Sequence, residues 1–106
     1  MPIKEFTKNL DESGLERLRV RLEIENGVLM DIVFQYESFI NGQWVPIVRY
    51  DIAHGFFHRD ILSPSGEKEK YPIEIDDLKV AASYAEQDIK DKWEFYKEKY
   101  IGKMKQ

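Results

Sequence analysis

Hydrophobic and polar residues alternate strictly along residues 15–25 of the chain. The apolar positions of this segment are Leu18, Val20, Leu22 and Ile24. Alternation with a period of two is typical of a strand that buries one face. Asn26-Gly27 then provides a turn, and residues 28–40 continue as a second strand rich in β-branched and aromatic residues. The pattern therefore predicts a β-hairpin.

The register of this hairpin can be predicted from the residues that it places opposite one another. A two-residue loop would set Arg19 opposite Phe34, whereas one additional loop residue sets Val20 opposite Phe34. The second register keeps apolar side chains opposite apolar ones, which stabilises a sheet. We therefore predict a three-residue loop or a bulge near Gly27. The buried face of the second strand then carries Ile32, Phe34 and Tyr36.

The register of the third strand stays open. Asn41-Gly42 forms a second turn that leads into residues 43–51, where Pro46 indicates an edge or a bulge. A two-residue loop would place Arg49 on the buried side, and one more loop residue would place Tyr50 there. The sequence does not choose between these two registers.

The remaining segments predict two more strands and a helix. Residues 56–62 are expected to form a fourth strand, and residues 71–75 a short fifth one. Apolar residues then recur at spacings of three and four over residues 76–102, which predicts a helix capped by Asp76 or Asp77. Residues 1–14 mix charged and small polar side chains and are expected to form an irregular arm.

These elements predict a single α+β domain over residues 1–106, because a chain of this length has room for one hydrophobic core. We expect an antiparallel meander of four or five curved strands within residues 15–75. One long C-terminal helix would pack on one face of this sheet.

Charge and cysteine content exclude several classes of function. Sixteen basic residues against 20 acidic ones give a net charge of −4, so any nucleic-acid site must be local. The lack of cysteine excludes disulfides, thiolate zinc sites and a cysteine nucleophile. Because the chain has no signal sequence and no apolar run of about 18 residues, we expect a cytoplasmic protein without membrane contact.

Residues 49–60 hold the densest set of chemically versatile side chains, including both histidines and two of the five arginines. An imidazole pair can act as acid and base while an arginine stabilises negative charge, as a metal-independent ribonuclease requires. The candidate catalytic residues are His54, His58, Arg49 and Asp51. We assign no metal and no other cofactor, although His54, His58 and Asp60, or Asp51 in its place, form a set that could ligate one.

A second candidate surface is a basic ridge on the first strand, where alternation puts three arginines on one side. The candidate binding residues are Arg17, Arg19, Arg21, Arg59, Tyr50 and Asp60. In the structural alternative, Arg17 pairs with Glu37 across the strands, while Arg49–Asp51 and Arg59–Asp60 are ion pairs that fix a bend. An apolar patch at Phe39, Trp44 and either Ile47 or Val48 on the face away from the helix would favour a homodimer.

Residues 48–60 resemble a string of Arg-Tyr-Asp, Ala-His-Gly and His-Arg-Asp in small uncharacterised prokaryotic proteins. The order of strands, an Arg-x-Asp pair, a histidine pair and a terminal helix is similar to that of TumE-type toxins of toxin–antitoxin modules. This resemblance implies a toxin-like or RNA-directed protein with a cognate protein partner. The positions of this chain to which the resemblance extends the functional site are Arg49, Asp51, His54 and His58. The alternative is a non-enzymatic homodimeric or partner-binding domain in which these residues are structural.

Overall fold

The computed structural model describes residues 2–105, which form one six-stranded antiparallel sheet and one long helix. The elements are β1 (Ile3–Asn9), β2 (Glu16–Glu25), β3 (Val28–Ile40), β4 (Gln43–Asp51), β5 (His58–Leu62), β6 (Lys68–Pro72) and α1 (Leu78–Met104). The strands lie side by side in chain order, so the sheet is a meander. The predicted meander with a C-terminal helix is confirmed, but the sheet has six strands rather than four or five.

The two outermost strands differ from those that the sequence predicts. Ile3–Asn9, which we expected to be irregular, pairs with β2 from Ile3↔Glu23 to Asn9↔Arg17. The last strand covers Lys68–Pro72 rather than residues 71–75. Every residue of both strands is exposed. Such edge strands are held by backbone hydrogen bonds on one side, and without a buried face they show no hydrophobic alternation.

A bulge in each of two hairpins sets the register of the central strands. In β2–β3 the loop is Asn26-Gly27, and the unpaired Met30 brings Val20 opposite Phe34, which confirms the predicted bulge. In β3–β4 the extra residue is Ile47, which follows Pro46. Tyr50 therefore lies opposite Phe34, and the register that the sequence left open is decided in favour of the apolar pairing.

The core lies between the sheet and α1. Its fully buried side chains from the sheet are Leu18, Ile32, Tyr36, Ile47, Val48 and Tyr50. Ala81 and Ala85 let the first half of α1 approach the strands closely, and Ile89 fills the middle of the contact. Asp77 caps this helix by accepting the N–H groups of Lys79 and Val80. No helix within residues 2–105 is both long and apolar enough to cross a membrane.

Candidate functional site

Polar side chains cross the sheet on its open face, the side opposite α1. Strand pairing aligns one row of residues across all six strands, and this row is Thr7, Arg19, Gln35, Arg49, Asp60 and Lys70. The neighbouring row, Phe6, Val20, Phe34, Tyr50, Arg59 and Tyr71, points to the other side. Strand pairing therefore places the candidate residues on two opposite faces of the sheet.

The β2–β3 end of the open face is organised by a buried glutamate. Arg17 contacts Glu37 with Nη2–Oε1 at 2.7 Å, and Gln35 donates Nε2–H to the other carboxylate oxygen at 2.6 Å. The predicted cross-strand pair of Arg17 and Glu37 is therefore confirmed. The guanidinium of Arg17 also lies 3.7 Å from the ring centroid of Trp44. Phe39 is opposite Trp44, with their ring centroids 5.3 Å apart.

Arg49 continues the hydrogen-bonded chain from β3 to the end of β4. Its Nε–H donates to Asp51 Oδ2 at 2.7 Å, and its Nη1–H donates to Gln35 Oε1 at 3.2 Å. The N–H of Ala53 donates to Asp51 Oδ1 at 3.1 Å. Burial alone would raise the pKa of Asp51, but the bonds from Arg49 and Ala53 and the proximity of His58 outweigh it and lower this pKa. Asp51 is accordingly ionised near neutral pH.

His58 lies at the centre of a buried cluster with two carboxylates. Its imidazole is 1% exposed, with Nε2 at 2.9 Å from Asp51 Oδ1 and 3.5 Å from Asp60 Oδ2. Nδ1 is 3.1 Å from the carbonyl oxygen of Phe56 and must donate to it, because a carbonyl only accepts. We call Asp51, His58 and Asp60 the Asp–His–Asp cluster. Asp60 is 3% exposed, and none of the described residues donates a hydrogen bond to its Oδ1.

The two histidines have different environments. His54 is exposed in a single 3₁₀ turn, Ala53–Gly55, and has a left-handed backbone with φ of 68°. It lines a depression of about 380 Å³ whose wall also includes the Asp–His–Asp cluster, Arg49 and two lysines of β6. Because His58 is buried, His54 is the more accessible imidazole of this depression.

Three arginines line a second depression on the open face. It has a volume of about 400 Å³ and includes Arg19, Arg21 and Arg49. Arg21 contacts Glu5 at 3.4 Å and Asp31 at 3.7 Å, so it is partly neutralised. Gln35 and Arg49 belong to the walls of both depressions. The basic ridge predicted from alternation therefore adjoins the Asp–His–Asp cluster.

Tyr50 and Arg59, two predicted binding residues, lie on the other side of the sheet, under α1. The hydroxyls of Tyr50 and Tyr96 both donate to Asp88 Oδ2 at 2.6 Å, and Arg59 Nη1 donates to the Tyr50 oxygen at 3.3 Å. Burial, together with the bond to Asp88, raises the pKa of both tyrosines. The alternative ion pair of Arg59 with Asp60 is wrong, because adjacent strand residues point to opposite faces and Arg59 approaches Asp88 at 3.9 Å.

Asp88 is the functional-looking residue that the sequence analysis missed. It is a buried carboxylate on α1. The helical spacing of Asp88 indicates that it is buried, because it stands three residues after Ala85 and immediately before Ile89, on the apolar side of the helix. A carboxylate at such a position needs buried donors, which Tyr50 and Tyr96 supply.

The whole chain, residues 1–106, matches the family model described as Domain of unknown function (DUF7718). The chain belongs to the DUF7718 family. No curated protein and no solved structure matched it in the corresponding searches. The description of DUF7718 assigns no activity, and the likeness to TumE-type toxins stays a prediction.

The open face of this DUF7718 chain can support two kinds of chemistry. The arginine-lined depression can bind a phosphate or another anion through guanidinium N–H groups. The Asp–His–Asp cluster offers two carboxylate oxygens and one imidazole nitrogen, a donor set that suits a metal ion. These two sites lie side by side on rigid strands, where side chains are held in fixed positions.

Proposed function

We propose that this chain is a cytoplasmic, RNA-directed protein that binds the phosphodiester backbone along its open face. The supporting observation is the depression in which Arg19, Arg21 and Arg49 of two different strands converge. Phosphate contacts position a nucleic acid, and arginine is well suited to them because its planar fork presents five donors. A local site of this kind is compatible with the net charge of −4.

The three arginines keep donors available despite their ion pairs. Their side chains are 54%, 38% and 42% exposed for Arg19, Arg21 and Arg49, respectively. The bonds of Arg49 to Asp51 and Gln35 use Nε and Nη1, which leaves Nη2 to face a ligand. An RNA phosphate can therefore add to this network without breaking it.

Single-stranded RNA is the form that the open face suits best. Phe39 and Trp44 stand beside Arg17 at the end of the basic ridge, and Phe39 is 38% exposed. Unpaired bases stack on aromatic side chains and on guanidinium planes, whereas paired bases do not offer their faces. The likeness to TumE-type toxins supports a toxin-like role for this binding, with a cognate protein as partner.

Fluorescence anisotropy with a labelled single-stranded RNA of about ten nucleotides tests the proposal across a series of salt concentrations. Changing Arg19 and Arg21 together to glutamine should weaken binding and reduce the salt slope by about 1.4, at about 0.7 for each lost phosphate contact. The matched control changes Lys79 and Lys90, two exposed lysines of α1, to glutamine and should leave the slope unchanged. The proposal fails if wild-type protein does not bind, or if both double variants behave alike.

A partner-binding domain is the second candidate. It is favoured because many polar groups of the open face already form hydrogen bonds with one another. Glu37 accepts from Arg17 and Gln35, and Asp51 accepts from Arg49 and Ala53. In this case the exposed aromatic pair would be the interface, and a homodimer would bury it. Sedimentation equilibrium separates the candidates: a dimer that dissociates on changing Trp44 to alanine supports the second.

A further inference from the structure

We propose that the Asp–His–Asp cluster binds a divalent first-row transition-metal ion. Within residues 2–105 it is the group of histidine and carboxylate ligands whose donor atoms all lie within 4.8 Å of one another. This inference does not depend on RNA binding, because it concerns different atoms of the open face.

The separations of the donor atoms fit a shared ion. Ligand oxygens and nitrogens lie about 2.0–2.2 Å from a metal such as zinc. Two donors bound at about 2.1 Å and at angles between 90° and 109° are about 3.0–3.4 Å apart by simple trigonometry from those bond lengths. His58 Nε2 is 2.9 Å from Asp51 Oδ1 and 3.5 Å from Asp60 Oδ2, and donor atoms of the two carboxylates lie within 4.8 Å of each other. An ion can therefore enter with only small movements of the side chains.

The tautomer of His58 directs a lone pair into the cluster. Because Nδ1 donates to the Phe56 carbonyl, a neutral His58 carries its lone pair on Nε2, facing two carboxylates. That arrangement is repulsive unless a metal ion lies between the three groups or a proton occupies Nε2. A backbone carbonyl that fixes the imidazole in this way is a common outer partner of metal-binding histidines.

Asp60 supplies independent support for a cation site. It is 3% exposed, and among the described residues nothing donates to Oδ1. A buried carboxylate oxygen without a partner is costly, and a metal ion held by both oxygens of Asp60 would satisfy it. Asp51 is held in place from its other side by Arg49, whose Nε–H bonds Oδ2 and leaves Oδ1 directed at His58.

The position of the cluster gives an ion access and rigid ligands. Asp51 and His58 are directly paired across β4 and β5, and Asp60 follows two residues later on the same face. The depression of about 380 Å³ opens beside them, with the exposed His54 on its wall. Two carboxylates and one imidazole favour manganese, iron or zinc over the harder magnesium and calcium ions.

Isothermal titration of chelator-treated protein with Mn²⁺ and Zn²⁺ tests the site, with Mg²⁺ for comparison. We expect one ion per chain for at least one of the two transition metals and weaker binding of Mg²⁺. Asp60→Asn should raise the dissociation constant at least tenfold. The matched control is Asp31→Asn, which alters an aspartate outside the cluster and should leave the affinity unchanged.

The competing arrangement is an imidazolium, with a proton rather than a metal on His58 Nε2. Nitrogen NMR of His58 in metal-saturated protein distinguishes the two, because metal binding removes the Nε2 proton. The proposal is overturned if wild-type protein shows no saturable binding, if both variants bind alike, or if that proton persists. RNA titrations in the presence of chelator keep the two proposals separate, because loss of the metal leaves the arginine-lined depression intact.

Discussion

Replacing Asp88 with alanine tests how α1 is fixed to the sheet. Two tyrosine hydroxyls donate to Asp88 Oδ2 at 2.6 Å, and the side chain is 6% exposed. Hydrogen bonds to a charged group contribute about 1.5–3 kcal/mol each, so losing both costs about 3–6 kcal/mol. The better helix propensity of alanine returns at most about 0.7 kcal/mol. We therefore expect the free energy of unfolding to fall by about 2–5 kcal/mol.

Urea denaturation followed by tryptophan fluorescence and circular dichroism measures this change. The matched control is Asp91→Ala, which makes the same substitution on the exposed side of α1 and should alter stability by less than about 0.5 kcal/mol. In thermal unfolding, the Asp88 variant should melt at least about 8 °C below wild type. A loss below about 1 kcal/mol, or equal losses in the two variants, would refute the reasoning.

Two further predictions concern tyrosine ionisation and a turn glycine. Because Tyr50 and Tyr96 have pKa values raised above the ordinary 10.0, the folded state keeps protons that the unfolded chain releases. The free energy of unfolding should therefore fall as the pH rises above about 10, and Tyr50→Phe should make that slope shallower by up to about 1.4 kcal/mol per pH unit in urea titrations. An unchanged slope would contradict this. Gly27 has φ of 76°, so Gly27→Ala should destabilise the β2–β3 hairpin by about 1 kcal/mol. The control Gly102→Ala, in α1, should stabilise the protein. Equal effects of the two substitutions would contradict the reasoning from the turn geometry.

The sequence predicted the parts of the fold in which one face is buried. Alternation along residues 15–25 gave the correct face of β2, and the preference for apolar pairs gave the correct partner for Phe34. The β3–β4 register stayed open because a bulge at Ile47 changes the pairing without changing the loop. β1 has no buried residue, so its hydrogen bonds to β2 leave no trace in the hydrophobic pattern.

The candidate site could be predicted in part for the same reason. Period-two alternation places His58 and Asp60 on one face and Arg59 on the other, as the structure has them. The partner of Arg59 could not be predicted, because Asp88 comes from a helix that is distant along the chain and whose docking depends on the whole core. The burial of His58 also depends on tertiary structure, since a strand pattern does not say which side chains cover it.

Arginine-detected NMR during titration with single-stranded RNA, in the presence of chelator, tests the central claim most directly. The Nε–H signals of Arg19, Arg21 and Arg49 should shift with increasing RNA, because these side chains line one depression on the open face. The signal of Arg59 should stay in place, because its Nε is buried on the opposite side. Shifts confined to α1, shifts of Arg59 alone, or no shifts at all would contradict the account.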